Sequence, residues 1–346
     1  NTIPNSGNPV TGANPQFAWT GRPTGLTIEM QAYTTSFCTL NAGQDGTFAG
    51  TETAQGNTDT AGYGNFYYTP PTDYLAICSA NLPIADEIDP AQTDDNYPQK
   101  LFSPILYTGN GSTQNITGVG FKPDLAWIKR RNATQSHRLA DSTRGAKTLY
   151  PDDSIDEDDM AISYTSDGFD WGSGTGVANN ANANGGTYAA WNWRANGGTT
   201  AANTVGGTDS VTQVDPSKAL SIVTYTGFSG SSGSSTVGHG MGVAPAMIIH
   251  KSRSRESGWW TQFPNLLTNA GYFLDLSGTG AQTDLNSYGT MNVPTTSVFT
   301  INGVDGIGGE SANYVAYCFA NIEGYCKVGS YAANATTTNN AYIYTG

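Results

Sequence analysis

Charge and cysteine are what this chain has least of. Only 12% of its 346 residues are Asp, Glu, Lys or Arg, and 28 acidic residues outnumber 15 basic ones, for a net charge of −13. That surplus disfavours nucleic acid, whose phosphates are held by clustered cations. The densest basic stretch, Lys129-Arg130-Arg131 with Arg138 and Arg144 nearby, reads as a solvated strand end and loop. The four cysteines (Cys38, Cys78, Cys318, Cys326) form no C-x-x-C pair and have no histidine close by, which argues against zinc and against a disulfide scaffold. Cys78 and Cys318 lie in apolar runs and are expected to be buried thiols, with a Cys318–Cys326 bridge as the alternative. No apolar run approaches the roughly 20 residues of a membrane-spanning helix. There is no signal-peptide pattern, and a chain that begins at Asn1 is expected to be processed or a fragment. Leu, Lys and Glu are scarce, which argues against long helices.

What is abundant points to strands and turns. The chain holds 43 glycines beside much Thr, Asn, Ala and Ser, and 11% of it is aromatic. Gly and Asn supply turns, and Thr, Tyr and Val suit strands. The expected fold is all-β. Residues 1–30, with Pro4, Pro9, Pro15 and Pro23, read as an extended arm. Residues 31–99 read as a small β-rich segment ending in an acidic linker (Asp86, Glu87, Asp89, Asp94, Asp95).

Beyond the linker the chain repeats itself. Tyr-Thr-Gly stands at 107–109, 225–227 and 344–346, separations of 118 (225 − 107) and 119 (344 − 225) residues. Pro123, Lys129 and Arg131 recur as Pro245, Lys251 and Arg253, each 122 residues on. Phe169 has a counterpart in Phe299. The aromatics at 188, 191 and 193 recur at 314, 317 and 319, each block after a Gly-Gly pair. Features recurring in one order define a duplication. Two tandem β-sandwich or jelly-roll-like units are expected at 100–198 and 220–328, joined by a connector at 199–219. Residues 329–346 read as the first strands of a third unit.

YTGNGSTQNITGVGFKPDLAWIKRR, SHRLADSTRGA, SYTSDGFDWGSG and NGGTYAAWNWRANGG in the first unit, NYVAYCFANIEGYCKVGSY in the second, and FYYTPPTDYLAICSANLP at 66–83 carry a resemblance. Over roughly 66–346 the chain resembles bacteriophage virion proteins of marine and cyanobacterial phages, usually labelled tail-fibre-like or uncharacterised. Relatives often carry a SPRY-like, concanavalin-like lectin domain ahead of the Thr-Pro-Pro stretch. Residues 38–65 are too short to hold one. The resemblance implies a non-enzymatic structural part of a phage particle, located on the virion surface, with other virion proteins as partners. It carries over no catalytic residue. The terminal segments suggest self-assembly by strand exchange.

Two further functions stay open from the residues themselves. A carbohydrate-binding adhesin would stack sugar rings on exposed aromatics, for which Trp259, Trp260 and Tyr63 are candidates. A polysaccharide-degrading enzyme would need two carboxylates across a cleft, and no pair stands out. The acidic run Asp152, Asp153, Asp156 and Asp158 is a candidate Ca²⁺ site, although it lacks the register of a known calcium loop. The three histidines (His137, His239, His250) read as a loop residue, a turn residue and the end of an apolar strand. Ser136, His137 and Asp141 offer triad chemistry only in name, because no nucleophile elbow accompanies them.

Overall fold

The computed structural model describes residues 41–81, 95–172 and 181–332. The chain divides into two compact units, residues 1–93 and 94–346. The arm at 1–30, Cys38, linker residues 84–94 and the third Tyr-Thr-Gly lie outside the described residues.

The protein is all-β. The first repeat supplies β1 (Phe102–Thr108), β2 (Gln114–Ile116), β3 (Leu125–Arg130), β4 (Arg138–Asp141), β5 (Lys147–Thr148), β6 (Asp158–Asp159), β7 (Ile162–Thr165), β8 (Gly168–Trp171) and β9 (Thr187–Trp193). The second supplies β10 (Ala201–Asn203), β11 (Ser210–Val214), β12 (Leu220–Thr226), β13 (Ser234–Gly238), β14 (Met247–Ser252), β15 (Trp260–Gln262), β16 (Tyr272–Asp275), β17 (Thr283–Asp284), β18 (Val298–Asn302) and β19 (Asn313–Phe319).

The duplication is visible in the topology. The large sheet of the first repeat runs β1-β9-β3-β4, and the same order, β12-β19-β14-β15, sits inside the large sheet of the second. Opposite them lie the smaller sheets β2-β8-β7 and β13-β18. Each repeat is a sandwich because its strands alternate. Ala126, Ile128, Tyr188 and Ala190 of the first large sheet meet Ile116, Phe169 and Trp171 of the small one. Val223, Ile248, Tyr314, Ala316 and Cys318 likewise meet Val237, Phe299 and Ile301.

The repeated tripeptide has a packing reason. Tyr107 stacks on Tyr188 at 4.9 Å and 14°, and Tyr225 on Tyr314 at 5.4 Å and 18°. Phe169 and Phe299 meet these stacks edge-on, at 5.9 and 6.0 Å. The glycine is needed for close approach. A Cβ at Gly109 would lie 2.5 Å from the Ala183 carbonyl oxygen, and one at Gly227 would lie 2.3 Å from that of Gly308.

The connector expected at 199–219 is not a plain loop. It contains β10 and β11, which extend the second large sheet past β12 to eight strands. The small side chains of Ala201-Ala-Asn203 disguise an edge strand, whereas Ser210-Val-Thr-Gln-Val214 has strand propensity that short length obscured. Residues 329–332, the described part of the expected third unit, form no strand. Cys78, Cys318 and Cys326 are all free thiols, so the Cys318–Cys326 bridge does not form.

His250 sits wholly inside the second sandwich, its ring 5.4 Å from that of Phe299. Burial pushes its pKa down to about 3 from 6.5. Between those values the unfolded chain binds a proton that the folded chain refuses, so stability falls as pH is lowered through this window. The ceiling is about 5 kcal/mol. His250→Leu is expected to remove one proton from the pH dependence of unfolding between pH 6.5 and pH 3. Urea titrations at several pH values check this, and an unchanged slope would contradict it.

Candidate functional site

The outer faces of the two large sheets pack against each other and form a third core. Leu125, Leu139, Leu149 and Ala195 of the first repeat meet Leu220, Ile222, Ile249, Trp259, Val315 and Tyr317 of the second. The repeats therefore share a seam within one unit.

A charged network lies at this seam. Asp141, at the end of β4, accepts from Arg144 Nε at 2.5 Å and from Tyr317 Oη at 2.7 Å. Arg144 also donates to Tyr317 Oη at 3.1 Å and to Glu157 Oε2 at 3.0 Å. Glu157 in turn takes Arg253 Nη2 at 2.8 Å and Nε at 3.0 Å. Asp141 and the Arg144 side chain are fully buried. Burial alone would lower the Arg144 pKa, but the Asp141 carboxylate beside it reverses the sign and raises it. Burial likewise pushes Glu157 up, and Arg253 and Arg144 together hold it below the ordinary carboxylate range. Buried charges in a protein are tolerated when paired in this way.

The acidic run is part of the same seam. Lys251 is buried, and its Nζ donates to the Ser154 carbonyl at 2.9 Å and to the Ser257 carbonyl at 2.9 Å. Burial lowers its pKa to about 8, with Asp156 and Asp305 opposing. Ser257 N–H donates to the Ser154 carbonyl, and Glu157 N–H to the Arg253 carbonyl. Of the Ca²⁺ candidates, Asp152 accepts from His137 N–H, Asp153 from Ser154 N–H, and Asp158 from Tyr150 Oη. Among the described residues no group of three or more His, Cys, Asp or Glu side chains converges in a metal-binding arrangement; Asp156 also lies in this run.

The aromatic candidates divide. Trp259 is wholly buried, and its Nε1 donates to the Tyr150 carbonyl at 2.8 Å and the Asp153 carbonyl at 3.0 Å. It is a core residue of the seam and presents no face to a sugar. Trp260 is half-buried against the second core, with Nε1 on the Asp305 carbonyl at 3.2 Å. Tyr63 is 45% exposed and belongs to the small unit. The triad geometry does not form either. His137 Nδ1 accepts from Trp127 Nε1, while Asp141 is taken by Arg144 and Tyr317.

The small unit is organised on Asp59. Its carboxylate accepts from Ala61, Tyr63 and Ala76 N–H and from Asn81 Nδ2, at 2.7–2.9 Å. Burial pushes its pKa up, and these donors prevail and lower it. Around this knot lies an apolar cleft of about 420 Å³ lined by Phe48, Tyr67, Tyr68, Pro70, Pro71 and Tyr74 among others. Phe48 and Ala49 both hold positive φ, 49° and 59°, at its rim. Tyr68 and Tyr74 are 68% and 66% exposed.

The seam residues Arg144, Glu157, Arg253 and Tyr317 were not expected as a site. The recurrence of Lys129 and Arg131 as Lys251 and Arg253 was the available signal, but it does not show which copy is buried.

These features define a class: a duplicated β-sandwich protein whose two repeats are joined by a buried, charge-bearing seam. The chain belongs to the family described as a domain of unknown function (DUF7483), whose model matches residues 97–346. That span covers both repeats, so the fused pair is the family's unit. No curated protein and no solved structure matches the chain.

Proposed function

We propose that the chain is a non-enzymatic structural component of a bacteriophage particle: a tail appendage, fibre or surface decoration that self-assembles and contacts the host surface. The ordered motifs that resemble phage virion proteins carry this reading. The seam supports it, because Asp141, Arg144, Glu157 and Lys251 are used to hold one repeat to the other through Tyr317, Arg253 and the Ser154 carbonyl. Rigid duplicated sandwiches suit a particle that must keep its shape outside a cell.

The test is the protein composition of gradient-purified virus particles. Mass spectrometry is expected to find the chain in multiple copies per particle. Its presence in the lysate with absence from particles would overturn the proposal.

A second reading, a carbohydrate-binding adhesin, is favoured by the exposed tyrosines of the small unit's cleft. Aromatic faces of this kind stack on sugar rings. Glycan binding lost on Tyr74→Ala with the fold intact would favour it.

A further inference from the structure

The seam covers only part of the sheet face on which it lies. One row of side chains crosses that face as Ala202, Val211, Thr224, Val315 and Lys251, one from each of β10, β11, β12, β19 and β14. Val315 and Lys251 are 0% exposed at the seam, whereas Thr224 is half-buried, Val211 is 38% exposed and Ala202 is exposed. Alternation keeps the open residues on the seam's face, since Val223 and Tyr225 fill the sandwich interior. The uncovered part is the floor of a cleft of about 350 Å³. β10 and β11, which come from the connector between the repeats, build it. Among the described residues β1 of the first repeat has no such extension, so the cleft is not duplicated.

The next row forms the rim. Asp209 precedes Ser210 and Thr226 follows Tyr225, and since Ser210 pairs with Tyr225 the two lie opposite each other. Thr226 pairs with Asn313, whose carbonyl accepts from Arg253 N–H. All four residues line the cleft. Neighbouring strands lie about 4.8 Å apart, so the row runs roughly 14 Å from Asp209 to Arg253. Its polar atoms are positioned without being used up. Thr226 Oγ1 donates to Asn313 Oδ1 at 3.2 Å, which leaves the Asn313 Nδ2 hydrogens to donate elsewhere. Glu157 of the first repeat takes Arg253 Nε and Nη2 and leaves Nη1. Among the described residues the Asp209 carboxylate and the Thr224 hydroxyl have no hydrogen-bond partner.

We propose that this cleft binds a neutral saccharide, with a ring C–H face on Val211 and Ala202 and hydroxyls along the rim. A sugar hydroxyl both donates and accepts. It therefore matches a row in which Asp209 accepts, Thr224 and Thr226 do both, and Asn313 and Arg253 donate. Charge narrows the class. The one guanidinium is already paired with Glu157, and Asp209 adds a second negative charge, so an acidic sugar or a phosphate gains no net cation here. An apolar ligand would strip water from the same groups without replacing their hydrogen bonds. The volume lies at the lower end of the range for small-ligand clefts. Arg253 is held in place by a residue of the first repeat, so the seam builds one end of the site. The cleft adds a ligand to the structural role proposed above and sets a glycan site apart from the small unit's tyrosines.

Binding of the full chain to an array of neutral and acidic oligosaccharides, followed by calorimetric titration of those that bind, tests the site. Wild type is expected to bind neutral oligosaccharides. Asp209→Ala is expected to weaken that binding at least about tenfold, the loss that follows removal of one charged hydrogen-bond partner. Val211→Arg, which fills the floor, is expected to abolish it. Both residues are exposed, and circular dichroism melts establish that both variants fold. Tyr74→Ala, in the small unit's cleft, should leave this binding unchanged. A wild-type chain that binds no saccharide, or binding kept in both cleft variants, would overturn the proposal. Binding lost only in Tyr74→Ala would overturn it in favour of the small unit. A preference for acidic oligosaccharides would overturn the neutral class. A chain found in virus particles but without glycan binding would overturn this site and leave the structural role standing.

Discussion

Asp141→Ala is expected to destabilise the larger unit by about 3–5 kcal/mol, because it leaves a buried guanidinium without its partner. Arg144 would keep only Glu157, Tyr317 Oη and the Leu139 carbonyl, the last at 3.1 Å. Tyr317 Oη would lose its acceptor in a site 1% exposed. Removing both charges together, as Asp141→Leu with Arg144→Met, should cost much less than the sum, because the desolvation penalty disappears with the pair. Equilibrium urea unfolding of the single and double variants gives the coupling. A single-variant loss under about 1 kcal/mol, the scale of a surface ion pair, would show that the pair is not buried as described.

Trp259→Ala is expected to cost a similar amount, about 3–5 kcal/mol, as large-to-small changes of buried aromatics do. It also removes the donor shared by the Tyr150 and Asp153 carbonyls, which belong to the other repeat. The variant should therefore loosen the acidic loop as well as the core around Leu149 and Ile249. Thermal unfolding reads the loss. A wild-type midpoint in this variant would place Trp259 at the surface after all. Any loss of glycan binding in Trp259→Ala would report unfolding, since the side chain offers no exposed face.

The duplication was legible because its markers pack at equivalent core positions. Tyr107 and Tyr225, Phe169 and Phe299, and Tyr188 and Tyr314 make the same ring contacts in both repeats. Selection of a ring stack writes itself into the residue type and its order. The seam was illegible for the opposite reason. Its partners are far apart along the chain, as Asp141 and Tyr317 are, and a buried carboxylate has the same letter as a solvated one. The run at 152–159 reads as a candidate Ca²⁺ site in sequence because its Asp side chains do face outward in part. The backbone carbonyls of Ser154 and Asp153 and the Glu157 carboxylate are what reach the second repeat. The Trp-Trp pair misled for a related reason. Alternation along a strand buries one tryptophan and half-exposes the next, and nothing local says which.

The central claim is that the two repeats form one cooperative body through the seam. Hydrogen exchange followed by mass spectrometry, comparing wild type with Trp259→Ala, tests it most directly. A change made in the second repeat is expected to weaken protection in β3, β4 and β9 of the first as strongly as in β12, β14 and β19. First-repeat strands that keep wild-type protection while the second repeat opens would contradict it.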